Sequence, residues 1–331
     1  MTTKTVRIID ATKKKSLKQF LLRWESFLIL IFILVNIMNS IISTNYLSVS
    51  GLFLATSSFV EKAFIALPMA YVLILGEIDI SVGSTVALSA VILSISYNAG
   101  IPMGICIIIC LLIGALCGFI NGFILTKFTE LAPMIVTLGT MILYRGIAEA
   151  ILESNASGGL NSVSWFSKLY WGTIGPVPYM LIIFIIMAII FGVVLHKTTF
   201  GRRLYAIGSN RIMAAYAGIH VQGTRLFVYT LTGTFSAVTA IFLAARMGSS
   251  RSNIALGYEM EAISMVVLGG ISSAGGKGNF PGTVIAIFIV GFLRYGLGLI
   301  NVHSQVMSVV IGALLIIAVM LPNIKPQKVL H

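Results

Sequence analysis

The chain has 331 residues, of which 58% are apolar and only 10% are charged, whereas soluble globular proteins usually carry about 25% charged residues. So few charges leave a soluble fold of this length without a polar surface, and the composition therefore excludes a water-soluble protein. The net charge of +12 does not indicate nucleic-acid binding, because the basic residues cluster at positions typical of cytoplasmic topology signals.

The chain begins with a basic tail, residues 1–23, which carries seven Lys and Arg residues. An apolar stretch from Phe27 to Ile42 follows it. This stretch is longer than the usual ~7–15 apolar residues of a signal peptide, and no A-x-A-like cleavage site comes after it. We therefore predict a cytoplasmic tail and an uncleaved first membrane span.

Apolar runs long enough to cross a hydrocarbon core of about 30 Å recur along the rest of the chain. They predict an all-α, polytopic bundle of about ten transmembrane helices in one membrane domain, 24–322. The second, third, fifth and eighth spans are interrupted by charge, Gly or Pro, so half-spanning or re-entrant geometry remains open there. The predicted spans are 24–43, 51–75, 78–96, 102–125, 132–153, 178–196, 226–246, 259–275, 280–300 and 304–322.

The positions of the basic residues predict the orientation of the bundle. With the N-terminus inside, sixteen of the 22 Lys and Arg residues fall in inside segments, whereas Lys168 and Arg251 fall in outside loops. Such an excess predicts an even number of spans with both termini cytoplasmic, including a tail at 323–331. Two connections are long, an outside loop at 154–177 and an inside loop at 197–225.

The fourth span carries glycines at every fourth position, Gly114, Gly118 and Gly122. One face of this helix is therefore bare backbone, which predicts the close approach of a neighbouring helix. Three cysteines in the same apolar segment are expected to act as small apolar side chains, without a disulfide or metal site. They are Cys106, Cys110 and Cys117.

No nucleotide-binding or catalytic motif is evident in the sequence. The segment nearest to a P-loop is 275–278, but Ile271 stands at its first glycine position and Gly278 replaces the Ser or Thr that would bind Mg²⁺. The four histidines are scattered, and H-E-x-x-H is absent. We therefore expect no catalytic residue, metal or cofactor in this chain, and any ATP that drives it would bind to a separate chain.

Ionisable residues in or beside the spans are candidates for translocation or gating, because burying them is expensive. Glu77 and Asp79 lie between the second and third spans, where they either take part in gating or are hydrated in a helix turn near the cytoplasmic face. Arg145 and Glu149 lie one turn apart on one helix face. They either form an ion pair inside the bundle or include a proton-coupling carboxylate.

The start of the eighth span contains acidic residues on the predicted outer side. Glu259 and Glu261 are expected to be solvated there. Together with Arg251, Glu259 is a candidate contact for an extracytoplasmic partner.

The inside loop contains a predicted short helix. Asn210 has the features of an N-cap, and Gly218 is a stop signal. The small residues Ala214, Ala215 and Ala217 would present a narrow surface that fits a groove on another protein, and so short a helix needs a partner to pack against. The alternative is an ordinary amphipathic surface helix.

Three stretches carry a resemblance to a known family. They are 76–84 (GEIDISVGS), 121–146, and 199–218 with its continuation at 267–270 and 275–278. Over nearly the whole chain beyond the basic tail, the sequence resembles the permease subunits of bacterial ATP-binding-cassette importers for monosaccharides, of the ribose, rhamnose and autoinducer-two type. The family commonly has a second glycine where this chain has Glu77.

This resemblance implies a pair of permease chains, identical or homologous, in the bacterial inner membrane. Two ATPase subunits would lie beneath them, and a periplasmic binding protein would deliver a sugar or sugar-like signal molecule from above. Closure of the ATPases would tilt the bundle from inward-open to outward-open. The ATPase would dock on the inside loop, with Arg202, Arg203, Asn210, Ala214, Ala215 and Gly218 as the candidate residues.

Two other classes of membrane protein remain as alternatives. An ion-coupled secondary transporter should show internal repeats around a site near the midplane of the membrane. The sequence shows only a four-residue similarity between 75–78 and 268–271, which is too short to indicate a repeat. An intramembrane enzyme would need a catalytic set of residues, which the sequence does not show.

Overall fold

The computed structural model describes residues 24–42, 46–153 and 155–323. The predicted tails, apart from Asn323, lie outside the described residues. The described chain is mostly helical, with helices that we number α1 to α13. They are Trp24–Ile42 (α1), Val49–Ile74 (α2), Val82–Asn98 (α3), Met103–Lys127 (α4), Pro133–Leu152 (α5), Ser164–Trp171 (α6), Tyr179–Lys197 (α7), Thr199–Ser209 (α8), Arg211–Tyr216 (α9), Val221–Met247 (α10), Tyr258–Leu268 (α11), Phe280–Leu299 (α12) and Ser304–Asn323 (α13).

Each predicted span overlaps one helix of the described chain. Among the described residues, seven helices are long and apolar enough to cross a membrane, namely α1, α2, α4, α5, α7, α10 and α12. The molecule is therefore a multi-pass helical membrane protein. The predicted outside loop contains a 3-10 turn at Leu160–Ser162, α6 and a small antiparallel hairpin, Thr173–Ile174 with Val177–Pro178.

Helix α2 lies at the centre of the bundle. Every residue from 59 to 75 is buried, because α7, α10, α11 and α12 pack around it. By contrast, α1, α5 and α7 keep many large apolar side chains exposed, as expected for helices that face lipid.

The predicted glycine face of α4 packs against α10. A Cβ atom added to Gly118 would lie 3.0 Å from the Cα of Thr230, and one added to Gly122 would lie 3.0 Å from the Cα of Leu226. Gly114 meets the backbone of Gly233 in the same way. The prediction of close helix packing is thus confirmed, because side chains on these glycines would separate the two helices.

The eighth predicted span differs most from the structure. Helix α11 has only 11 residues, so it rises about 16 Å, half of the hydrocarbon thickness. The backbone before it, from 248 to 257, is not helical, and Ala255 there has φ +56°. The prediction of a helix to residue 275 is wrong, since glycines at positive φ end the helix and form a loop; they are Gly270, Gly275 and Gly276.

Candidate functional site

The start of α1, the end of α2, α8 and the loop after α11 meet at one end of the bundle, which we call the α1 end. Trp24 Nε1 donates a hydrogen bond to the Leu268 carbonyl at 3.0 Å, and Asn279 Nδ2 donates to Glu25 Oε1 at 2.6 Å. The turn between α2 and α3, residues 75–81, lies at this end. Glu77 and Asp79 are only 2% and 1% exposed there. The interpretation that they are hydrated is therefore wrong, because neighbouring helices cover the turn.

The Glu77 carboxylate binds two arginines from different elements. Arg225 Nε, from α10, lies 2.7 and 2.9 Å from its two oxygens. Arg211, the first residue of α9, donates to the same carboxylate. Arg225 also donates to the Leu125 carbonyl of α4. One buried carboxylate thus connects the α2–α3 turn to α9 and α10, and through Arg225 to α4.

Asp79 begins a chain of hydrogen bonds that crosses to α5. The Ser81 amide and hydroxyl donate to Asp79 Oδ1 at 2.9 and 2.7 Å, and Asn121 Nδ2 donates to the Ser81 hydroxyl at 2.8 Å. Tyr144 in turn donates to Asn121 Oδ1 at 3.2 Å. Two of the sequence stretches that carry the family resemblance are therefore in direct contact.

Glycines bring the third stretch against the same turn. The Gly276 amide donates to the Ile74 carbonyl at 2.8 Å, and Gly76, at φ +77°, packs against the Ala274 backbone. A Cβ atom on Gly208 of α8 would lie 2.6 Å from the Gly276 amide nitrogen. The glycine-rich loop that lacks P-loop chemistry thus has a packing role at this site.

Helices α8 and α9 form the predicted inside-loop element. Asn210 caps α9 as predicted, since its Oδ1 accepts from the Met213 amide at 3.0 Å. Gly218, at φ +79°, follows the helix and supports the predicted stop. Burial raises the pKa of Tyr205 in α8, whose phenol donates to the Gly278 carbonyl at 2.9 Å and holds α8 on the loop after α11.

The candidate docking residues of this element differ in exposure. Arg202, Arg203, Asn210, Ala215 and Gly218 are exposed. Ala214 is buried, so the expectation that it faces a partner is wrong; this side of α9 packs on its own chain.

The docking residues named from the sequence do not include the largest exposed side chains of α9, although these lie within the predicted contact segment 210–218. We call Ile212, Met213 and Tyr216 the docking face; they are 68%, 65% and 86% exposed. A cavity of about 620 Å³ lies beside them, and Thr129 and Gln222 contribute to its lining. The sequence signal for this face is that Ile212, Met213 and Tyr216 are large apolar residues within an otherwise basic loop.

Arg145 reaches the non-helical backbone before α11. Its Nη1 donates to the carbonyls of Ser252 and Ile254 at 2.6 and 2.7 Å. It forms no ion pair with Glu149, which is exposed, so the predicted Arg145–Glu149 pair is wrong. Ser252 and Ile254 are buried, and their carbonyls need such a donor because an unpaired buried polar group is costly.

Replacing Arg145 with methionine is expected to lower the thermal stability of the protein in detergent. The change leaves the Ser252 and Ile254 carbonyls without this donor, at about 1–3 kcal/mol for each unsatisfied group. Arg251→Met is the matched control, since Arg251 is an exposed arginine in the same segment. Equal melting temperatures for the two variants would contradict the role given to Arg145.

The acidic residues of α11 are not solvated as expected. Glu261 pairs with Lys62 of α2 at 3.2 Å and with Arg294 of α12. Glu259 is half-buried and accepts from the Gly257 amide at 3.2 Å. The expectation fails because α11 starts inside the bundle, whereas Arg251 remains exposed.

Known proteins resemble this chain over nearly its whole length. Residues 51–319 match the family described as branched-chain amino acid transport system, permease component. The Autoinducer 2 import system permease protein LsrD of Photorhabdus luminescens is 38% identical over 302 residues, which cover 89% of this chain and 90% of that protein. The LsrD proteins of Yersinia enterocolitica and Yersinia pestis are 38% and 36% identical over the same shares. No solved structure matches the chain.

Proposed function

The chain belongs to the family of branched-chain amino acid transport system permease components, and we propose that it is the membrane-spanning permease subunit of an importer for a sugar or sugar-like signal molecule. The names of its LsrD relatives support this substrate class. A periplasmic binding protein would deliver the substrate, and a separate ATPase subunit would drive its passage. A second permease chain, identical or homologous, would complete the passage.

The docking face is the observation that carries this proposal. Three large apolar side chains are exposed on a six-residue helix at the α1 end of the bundle, beside the basic surface that includes Arg202 and Arg203. A helix this short is stabilised by packing rather than by its own hydrogen bonds. We propose that the ATPase subunit covers this face and that residues of the ATPase enter the cavity beside it.

The location of the basic residues supports the membrane orientation that we propose. The α1 end carries Arg202, Arg203, Arg211 and Lys277, and α1 itself begins there after the basic tail. An excess of Lys and Arg is typical of the cytoplasmic side. We therefore place the α1 end and both termini in the cytoplasm of a bacterial inner membrane, with ten segments between them in a permease domain at 24–322.

An ion-coupled secondary transporter is the alternative that a reconstitution experiment separates from this proposal. The purified chain is placed in liposomes with or without the ATPase subunit, with ATP inside and substrate-loaded binding protein outside. Uptake of labelled autoinducer 2 is expected only when the ATPase subunit, the binding protein, ATP and the second permease chain, either this chain or its homologue, are all present. Uptake by this chain alone, driven by a proton or sodium gradient, would contradict the importer and favour the alternative.

A further inference from the structure

Glu77 lies where α9 meets the membrane bundle. Its backbone amide donates to the Val72 carbonyl at 3.1 Å, so the residue is held on the end of α2. Arg211, which it binds, is the residue at which α9 begins. The docking face therefore lies within two turns of a side chain that is ion-paired to the bundle.

We propose that Glu77 is a positioning residue that carries the movement of α9 into the membrane bundle through Arg211. This inference rests on the proposed docking of an ATPase subunit on α9. It goes further, because it names the contact through which closure of the ATPase would act on the bundle.

The two arginines on Glu77 differ in how firmly they are held. The Arg225 side chain is 3% exposed, and a second hydrogen bond to the Leu125 carbonyl holds it. The Arg211 side chain is 40% exposed and belongs to a short helix. The Arg225 contact thus holds Glu77 to the bundle, whereas the Arg211 contact joins Glu77 to the short helix α9.

The turn that carries Glu77 contacts three further helices. Thr137 of α5 donates to the Ile78 carbonyl at 3.3 Å, and the hydrogen-bond chain from Asp79 through Ser81 reaches α4 and α5. Ser81 is also the residue that precedes α3. A displacement of the turn by Arg211 would therefore act on α3, α4 and α5 together.

Two explanations compete with this inference. Glu77 and Arg211 form a purely structural ion pair, or Arg211 contacts the ATPase directly. A structural pair predicts changes in stability without a change in coupling. A direct contact predicts that Arg211 matters whether or not Glu77 is present. Glu77 itself is buried by its own chain, so it does not touch the ATPase surface.

The test uses the complete importer, with its ATPase subunits and binding protein, in liposomes. The number of autoinducer 2 molecules taken up per ATP hydrolysed is measured in complexes of matched ATPase content. Arg211→Gln is expected to lower this ratio at least about fivefold, the smaller end of usual coupling strengths. Arg211→Lys is expected to restore part of it, because lysine keeps the charge but not the planar fork.

A double-mutant cycle separates the competing explanations. Glu77→Gln is expected to lower the ratio at least as much as Arg211→Gln does, because it also removes the partner of Arg225. The double variant is expected to be no worse than Glu77→Gln alone, since the contact that Arg211→Gln removes is already broken there. Additive losses would overturn the inference and assign Arg211 to the ATPase interface. If Glu77→Gln does not fold, the Arg211 variants still decide: a wild-type ratio in Arg211→Gln overturns the inference, and so does an Arg211→Lys ratio no higher than that of Arg211→Gln.

Lys277→Gln is the matched control, because it removes one positive charge from an exposed side chain at the same end of the bundle. Its ratio is expected to equal that of the wild type, and an equal loss there would overturn the inference by attributing the effect to surface charge. Wild-type complexes without ATP-dependent uptake would overturn the proposed function itself. Normal wild-type uptake with an unchanged ratio in Arg211→Gln overturns the inference alone.

Discussion

Replacing Tyr216 with alanine is expected to weaken binding of the ATPase subunit while the membrane bundle stays folded. Tyr216 is 86% exposed on the docking face, and the structure shows no hydrogen bond from its phenol within the described chain. Aromatic residues at the centre of an interface often contribute about 2 kcal/mol or more, which corresponds to about 30-fold weaker binding. The affinity of the detergent-purified permease for its ATPase is the quantity to measure.

The outside loop offers a matched control for this change. Trp171 is another exposed aromatic residue, but it lies in α6, far along the chain from the docking face. Trp171→Ala should bind the ATPase as the wild type does. Wild-type affinity in a Tyr216→Ala, Ile212→Ala double variant would show that the ATPase binds elsewhere, and the docking assignment would then be abandoned.

Helix α9 shows how far local sequence signals reach. The Asn210 cap and the Gly218 stop depend on residues a few positions away, and both were predicted correctly. The exposed face of α9 was not predicted, since a helix of six residues is too short for periodicity to tell its sides apart. The sequence therefore predicts Ala214 on the partner side and does not single out Tyr216, whereas in the structure Ala214 is buried and Tyr216 is exposed.

Burial of charge depends on residues that are distant in the sequence. Arg211 and Arg225 are 134 and 148 residues away from Glu77, so the sequence leaves a hydrated turn open as one of two alternatives, whereas the structure contains a buried carboxylate that is ion-paired to both arginines. The carbonyl partners of Arg145 are likewise more than 100 residues away, so the sequence indicated the neighbouring Glu149 as its partner instead. Apolar runs located the helices of the bundle, because the run length needed to cross a membrane is a local property of the sequence.

Replacing Gly118 with leucine is expected to prevent α4 and α10 from packing and to abolish most of the folded protein. A Cβ atom at this position would already lie 3.0 Å from the Thr230 Cα, so the remaining atoms of leucine have no room unless the helices separate. Overpacking commonly costs about 1–3 kcal/mol and here exceeds it, because the neighbouring atoms are backbone that cannot change rotamer. The yield and melting temperature of detergent-extracted protein measure the loss.

Gly104 in the same helix provides the control for this prediction. No atom would lie within 4 Å of a Cβ there, so Gly104→Leu should be neutral, or stabilise the helix by up to about 1 kcal/mol through its better helix propensity. A similar loss in both variants would mean that α4 tolerates no large side chain for reasons unrelated to α10.

Because α10 also carries Arg225, separating α4 from α10 in Gly118→Leu should break the Arg225 contact with the Leu125 carbonyl as well. The glycine face would then be required both for folding and for the position of Glu77.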